Sequence, residues 1–138
     1  MKTEILQLEV ERLDLEGIIR AAEMVDGGGL VGFPTETVYG VACRVEKGSL
    51  SRLDEAKGRP GDKRYSLHIG SVDMLAEYVP QIPLAGAKLV SEFWPGPLTL
   101  VFELNEDDLA VQRARLNPEI FDILYQDGSI GVRCPDNP

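Results

Sequence analysis

The sequence predicts a mixed α/β domain in which short strands form a mixed sheet flanked by helices. Two observations predict it. Segments with apolar residues at helical spacing alternate with short apolar runs bounded by Gly or Pro, and the irregular spacing of that alternation argues against a regular parallel series. A chain of 138 residues with 43% hydrophobic content is long enough to bury one core, and no internal repeat or linker divides it.

The elements follow in order. Leu15, Ile18, Ile19, Ala22 and Val25 recur at helical spacing, and the "DGGG" that follows supplies a stop. "LVGF" is too brief for a helix and ends at Pro34, so it reads as a buried strand. "SLSRLDEAK" reads as a second helix with Leu50, Leu53 and Ala56 on one face, broken by Gly58 and Pro60. "RYSLHIG" alternates, with Tyr65, Leu67 and Ile69 facing one way and Ser66 and His68 the other. Residues 84 to 94 have helical character and end at "PGP"; "LTLVFEL" is then a strand with Leu98, Leu100, Phe102 and Leu104 in phase. "WPGP" reads as a rigid turn with Trp94 packed beneath it, and "GSIGVRCP" as a last short strand.

Composition narrows the function. A net charge of −9 argues against a surface that grips nucleic acid over a wide footprint. Apolar runs break off well short of the roughly 18 residues of a membrane span, and the N-terminus lacks the order of a signal peptide, so a cytoplasmic location with no membrane partner is expected. Cys43 and Cys134 form no CxxC pair and are expected to be reduced. With one histidine and no clustered ligand spacing, no protein-bound metal is expected.

Against that acidic background, "KGRPGDKR" concentrates Lys57, Arg59, Lys63 and Arg64 around a single Asp62. Either an anion sits there, or Lys57 and Arg59 close the preceding helix, where cations complement its dipole. "PTETVYG" is similarly open. It is either a strand-to-loop transition fixed by Pro34 and local threonine hydrogen bonds, or a set of donors and acceptors for a polar ligand. His68, alone on the polar face of its strand, is either a ligand-binding group or a solvent-facing histidine.

"GFPTETVYG", "AKGRP", "SLH", "FWPGPLTL" and "GVRCP", in that order, resemble the YrdC-like family of threonylcarbamoyl-adenylate synthases, from about Gly29 to Pro138. The resemblance implies a YrdC/RibB-like twisted mixed sheet wrapped by helices around an open concave cavity. It also implies a nucleotidyltransferase reaction. L-threonine, bicarbonate and ATP, with Mg2+ carried on the ATP, become threonylcarbamoyl-adenylate and pyrophosphate. A separate tRNA-modifying transferase complex then takes the product.

Matched to the family pattern, Thr37 contacts L-threonine, Thr35 and Tyr39 shape that end of the pocket, and Glu36 is left as a structural residue. Lys57 and Arg59 bind the nucleotide phosphates and stabilise charge as pyrophosphate leaves. Lys63 and Ser129 match further ATP-binding positions. His68 matches a threonine-binding histidine, and Arg133 an arginine that pairs with the amino-acid carboxylate.

The sequence departs from the pattern in two places. Arg64 and Tyr65 stand where many relatives have a proline and an apolar residue, adding a charge near the phosphates. The family pattern also continues beyond "GVRCPDNP" through a Ser-x-Asn segment, so residues 1–138 are expected to be a single domain lacking its C-terminal portion. Two alternatives accompany the synthase: a module of the same fold that binds double-stranded RNA or tRNA, and a carbamoyl-adenylate-binding transfer domain. The acid balance counts against broad RNA contact, and the absence of an accompanying acylphosphatase or zinc-finger segment counts against the transfer domain.

Overall fold

The computed structural model describes residues 2–9, 14–59 and 63–136. Helix α1 (Leu15–Asp26) begins at Asp14, whose carboxylate accepts from the Gly17 N–H at 3.1 Å, an N-cap that satisfies one of the orphan donors of the first turn. It ends where predicted, and the chain turns at Gly28, whose φ of +79° explains a glycine there. The apolar periodicity was legible, but none of its residues is fully buried.

Strands β1 (Val31–Phe33) and β2 (Gly40–Ala42) pair antiparallel as a separate two-stranded ribbon, with the "PTETVY" loop at its turn. The expectation of a buried β1 is corrected here. A two-stranded ribbon covers only part of each strand, and Val31 and Phe33 are half-buried.

Helix α2 (Lys47–Lys57) buries Leu50 and Leu53 as expected, whereas Ala56, assigned to the same face, is exposed. Its N-terminus receives an acceptor from far along the chain, since the Lys47 N–H donates to Glu119 Oε1 at 2.8 Å. The buried Ser49 Oγ lies 2.7 Å from Glu46 Oε1 and 3.2 Å from the Gly28 carbonyl, so the hydroxyl ties α2 to the turn after α1. Gly58, in the left-handed region, caps the other end. Pro60, the second predicted breaker, lies outside the described residues.

The main sheet has the order β3-β5-β4. Strand β3 (Ser66–His68) runs parallel to the central β5 (Ser129–Arg133), and β4 (Leu100–Glu103) runs antiparallel to it. The sheet is mixed, as the irregular spacing predicted. Leu67, Leu100, Phe102, Ile130 and Val132 turn to the core, which they share with Ile69, Trp94, Leu109 and Phe121 from surrounding segments. Short α3 (Leu75–Tyr78) and longer α4 (Leu84–Phe93) close one side, Leu75 and Val79 being almost wholly buried. Trp94 is buried beneath the "PGP" turn, and its indole N–H donates to the Leu98 carbonyl at 2.7 Å, which answers the polar end of a large buried ring.

Three helices had no counterpart in the sequence reading: α3, α5 (Glu106–Arg115) and α6 (Pro118–Leu124). Helices α5 and α6 begin at asparagines that cap them, Asn105 accepting from the Asp108 N–H and Asn117 from the Glu119 N–H. Both cysteines are free, and no described helix is long and apolar enough to cross a membrane.

Candidate active site

The sheet face turned away from the core carries Ser66 and His68 on β3, Gly131 and Arg133 on β5, and Val101 on β4. His68 and Arg133 are register partners on neighbouring parallel strands, so residues 65 positions apart stand side by side.

The ribbon's loop reaches this pair. Arg133 Nη2 forms an ion pair with Glu36 Oε1, and the other Glu36 oxygen accepts from the Asp136 N–H at 2.9 Å. Both side chains of the pair are mostly shielded, with 13% of Arg133 and 21% of Glu36 exposed, and Arg133 Nε is buried without a partner among the described residues. The Phe33 ring meets His68 edge-on, with centroids 6.0 Å apart. Desolvation holds the His68 pKa below its ordinary value, so the imidazole is neutral at pH 7 and able to accept a proton at one ring nitrogen.

The threonines divide their work. Thr35 Oγ1 donates to the Val38 carbonyl at 2.6 Å and accepts from the Val38 and Thr37 N–H groups, which consumes it in holding the loop. Thr37 is exposed, its hydroxyl 3.2 Å from that of Thr35. Tyr39 is 83% exposed.

A second cluster sits at the start of β3. Arg59 Nε donates to Asp54 Oδ1 at 2.7 Å, the Tyr65 hydroxyl donates to Asp54 Oδ2 at 2.5 Å, and the Arg59 guanidinium lies 4.5 Å from the Tyr65 ring centroid. The Tyr65 hydroxyl and then Arg59 hold the Asp54 carboxyl below its usual range; Asp54 in turn raises Arg59, while burial first and Asp54 second raise Tyr65. Lys57 is exposed on the last turn of α2 and Lys63 is exposed just before β3. From Tyr65 to His68 is three residues of extended chain, about 10 Å, so one short strand spaces the cationic cluster from the His68–Arg133 pair.

Ser129 is placed apart from Arg133, at the opposite end of β5, about 13 Å away along the strand. Its hydroxyl accepts from Arg64 Nη1 at 2.5 Å, and Arg64 Nη2 also holds Asp127 at 2.6 Å. Arg64 and Ser129 border a shallow cleft lined also by Tyr65, Thr99 and Gln126. The added charge of Arg64 is thus engaged with Asp127 and Ser129 on the cleft rim. Glu36, Asp54 and the Tyr65 hydroxyl are in direct contact with candidate site residues or with one another, and sequence reasoning assigned none of them a chemical role.

The family model Sua5_yciO_yrdC, described as "Telomere recombination", matches residues 23–138. This chain belongs to the Sua5/YciO/YrdC family. Within it, the threonylcarbamoyl-AMP synthase of Pyrococcus abyssi (strain GE5 / Orsay) is 42% identical over 97 residues, covering 70% of this chain and 28% of that protein. The threonylcarbamoyl-AMP synthase of Bacillus subtilis (strain 168) is 32% identical over 122 residues, covering 88% of this chain and 32% of its own length. The crystal structure of P. abyssi Sua5 complexed with L-threonine superposes with a TM-score of 0.73 at 35% identity, covering 91% of this chain and 34% of that one. The E. coli YciO crystal structure, at 23% identity and a TM-score of 0.67, shares the fold. The chain spans about a third of the length of the two synthases it matches.

Proposed function

We propose that this chain carries the threonine- and phosphate-handling part of a threonylcarbamoyl-AMP synthase. The observation that carries this reading is the pairing of Arg133 on β5 with a neutral His68 at one end of β3, while the Arg59–Asp54–Tyr65 cluster lies at the other end of that strand. Two synthases at 42% and 32% identity, and a family member solved with L-threonine, support it.

In this reading Arg133 takes the carboxylate of L-threonine, and Thr37 and His68 orient its hydroxyl and amine. The amine attacks the bicarbonate-derived carbon, water is lost, and a carbamate forms. The carbamate oxygen then attacks the α-phosphorus of ATP, and the bond to pyrophosphate breaks. Arg59 and Lys57, with Lys63 nearby, stabilise the phosphate charge as it moves to the leaving group, and Ser129 takes part in nucleotide binding. Magnesium comes as part of the ATP complex. The product passes to a tRNA-modifying transferase.

The test is pyrophosphate release from ATP that requires both bicarbonate and L-threonine. L-serine, lacking one methyl, should be poorer by about 1–3 kcal/mol in transition-state terms. Equal turnover with serine, alanine and threonine would overturn the assignment of the threonine end.

A further inference from the structure

We propose that Tyr65 is a positioning residue that keeps the Arg59 guanidinium from closing a two-point pair with Asp54, by occupying the second oxygen of that carboxylate, and so leaves its charge available to a phosphate. The proposal rests on the reading that Arg59 serves the nucleotide phosphates, and it concerns how the chain prevents that arginine from being neutralised by its own neighbour.

A guanidinium and a carboxylate side by side tend to close two parallel N–H···O bonds. Here only one closes, from Arg59 Nε to Asp54 Oδ1. The second carboxylate oxygen is taken by the Tyr65 hydroxyl at 2.5 Å. Arg59 Nη2, on the edge where a second bond to Asp54 would form, is shielded from solvent and has no partner among the described residues. The Tyr65 ring beneath the guanidinium, 4.5 Å from its centre, also restricts how the fork can turn. One side chain therefore does two things. Its ring orients the guanidinium, and its hydroxyl limits Asp54 to a single contact.

Removing only the hydroxyl should let Asp54 swing onto Nη2 and close the two-point pair. Arg59 would remain anchored and folded but would be a poorer phosphate ligand. A role confined to packing would be insensitive to the loss of one oxygen at constant ring volume.

Calorimetric titration with pyrophosphate tests this directly, alongside steady-state kinetics. Tyr65→Phe should weaken pyrophosphate binding about tenfold, raise KM for ATP in parallel, and leave KM for L-threonine unchanged. Adding Asp54→Asn to Tyr65→Phe should restore most of the loss, because an amide nitrogen cannot accept from the guanidinium and the two-point pair cannot close. Unchanged pyrophosphate binding in Tyr65→Phe, or no recovery in the double variant, overturns the proposal. If Arg59→Ala leaves pyrophosphate binding intact, the phosphate role of Arg59 falls and this inference with it. If pyrophosphate binding follows the expected pattern while release from ATP does not depend on L-threonine, the synthase reading fails and the role of Tyr65 stands.

Discussion

Glu36 and Arg133, 97 positions apart in the chain, form a mostly shielded ion pair that fastens the hydroxyl-bearing loop to the end of the central strand. Removing one partner leaves the other's desolvated polar atoms unanswered. Glu36→Gln should lower stability by about 1–3 kcal/mol in urea denaturation. Because L-threonine would offer Arg133 a replacement carboxylate, the ligand should raise the Tm of this variant more than that of the parent chain. Equal ligand shifts in the two proteins would separate Arg133 from the threonine site.

Arg59 and Lys88 make a controlled comparison. Arg59 sits in the cluster with Asp54 and Tyr65, whereas Lys88 is exposed on α4 away from it. Arg59→Ala should cost on the order of 2–4 kcal/mol of transition-state stabilisation in pyrophosphate release. Lys88→Ala should leave turnover within experimental error, and similar losses in both would reduce Arg59 to a surface cation.

His68 sets a pH dependence whose sign is fixed by its environment. Desolvation lowers its folded pKa below the ordinary 6.5, so the unfolded chain binds the proton more readily. Its contribution is full above about pH 6.5 and is lost as pH falls through the folded value. Urea midpoints measured from pH 7.5 to 5 should fall in the native chain, and the part of that fall due to His68 should vanish in His68→Gln.

Gln112, on α5, is fully buried, and neither its amide nitrogen nor its carbonyl oxygen has a partner among the described residues. An unanswered buried amide costs about 1–3 kcal/mol by mutational measures. Gln112→Met, of similar length and shape, should therefore raise the thermal midpoint rather than lower it, and a lower midpoint would mean that the amide is answered in solution.

Strands β1, β3, β4 and β5 and helices α1, α2 and α4 were legible as short apolar runs or as apolar residues in phase, whereas β2 was not read as a strand. Helix α5 was not legible either. Its inward side presents Asp108 and Gln112 beside Leu109, so buried polar residues interrupt the hydrophobic period. Its caps were nonetheless written in the sequence, with Asn105 ahead of three acidic residues and two arginines in the last turn. The alternation around His68 was equally readable. Its neighbour across the sheet was not, because strand register depends on pairing between distant segments, and the ties of Glu36 to Arg133 and Tyr65 to Asp54 are likewise contacts that no local pattern encodes.

The two-stranded ribbon lies outside the main sheet, and its described ties to that sheet include Glu36 to Arg133 and Phe33 to His68. Its backbone bonds are few and mostly near solvent, the condition under which a segment opens without the rest of the molecule unfolding. Amide deuterium uptake along β1 and β2 should therefore outpace that along β5. Since the latch on this flap is the same guanidinium proposed to take the amino-acid carboxylate, occupying Arg133 and loosening the flap would be one event. The ribbon's exchange rate would then serve as a built-in reporter of whether the proposed threonine end is filled.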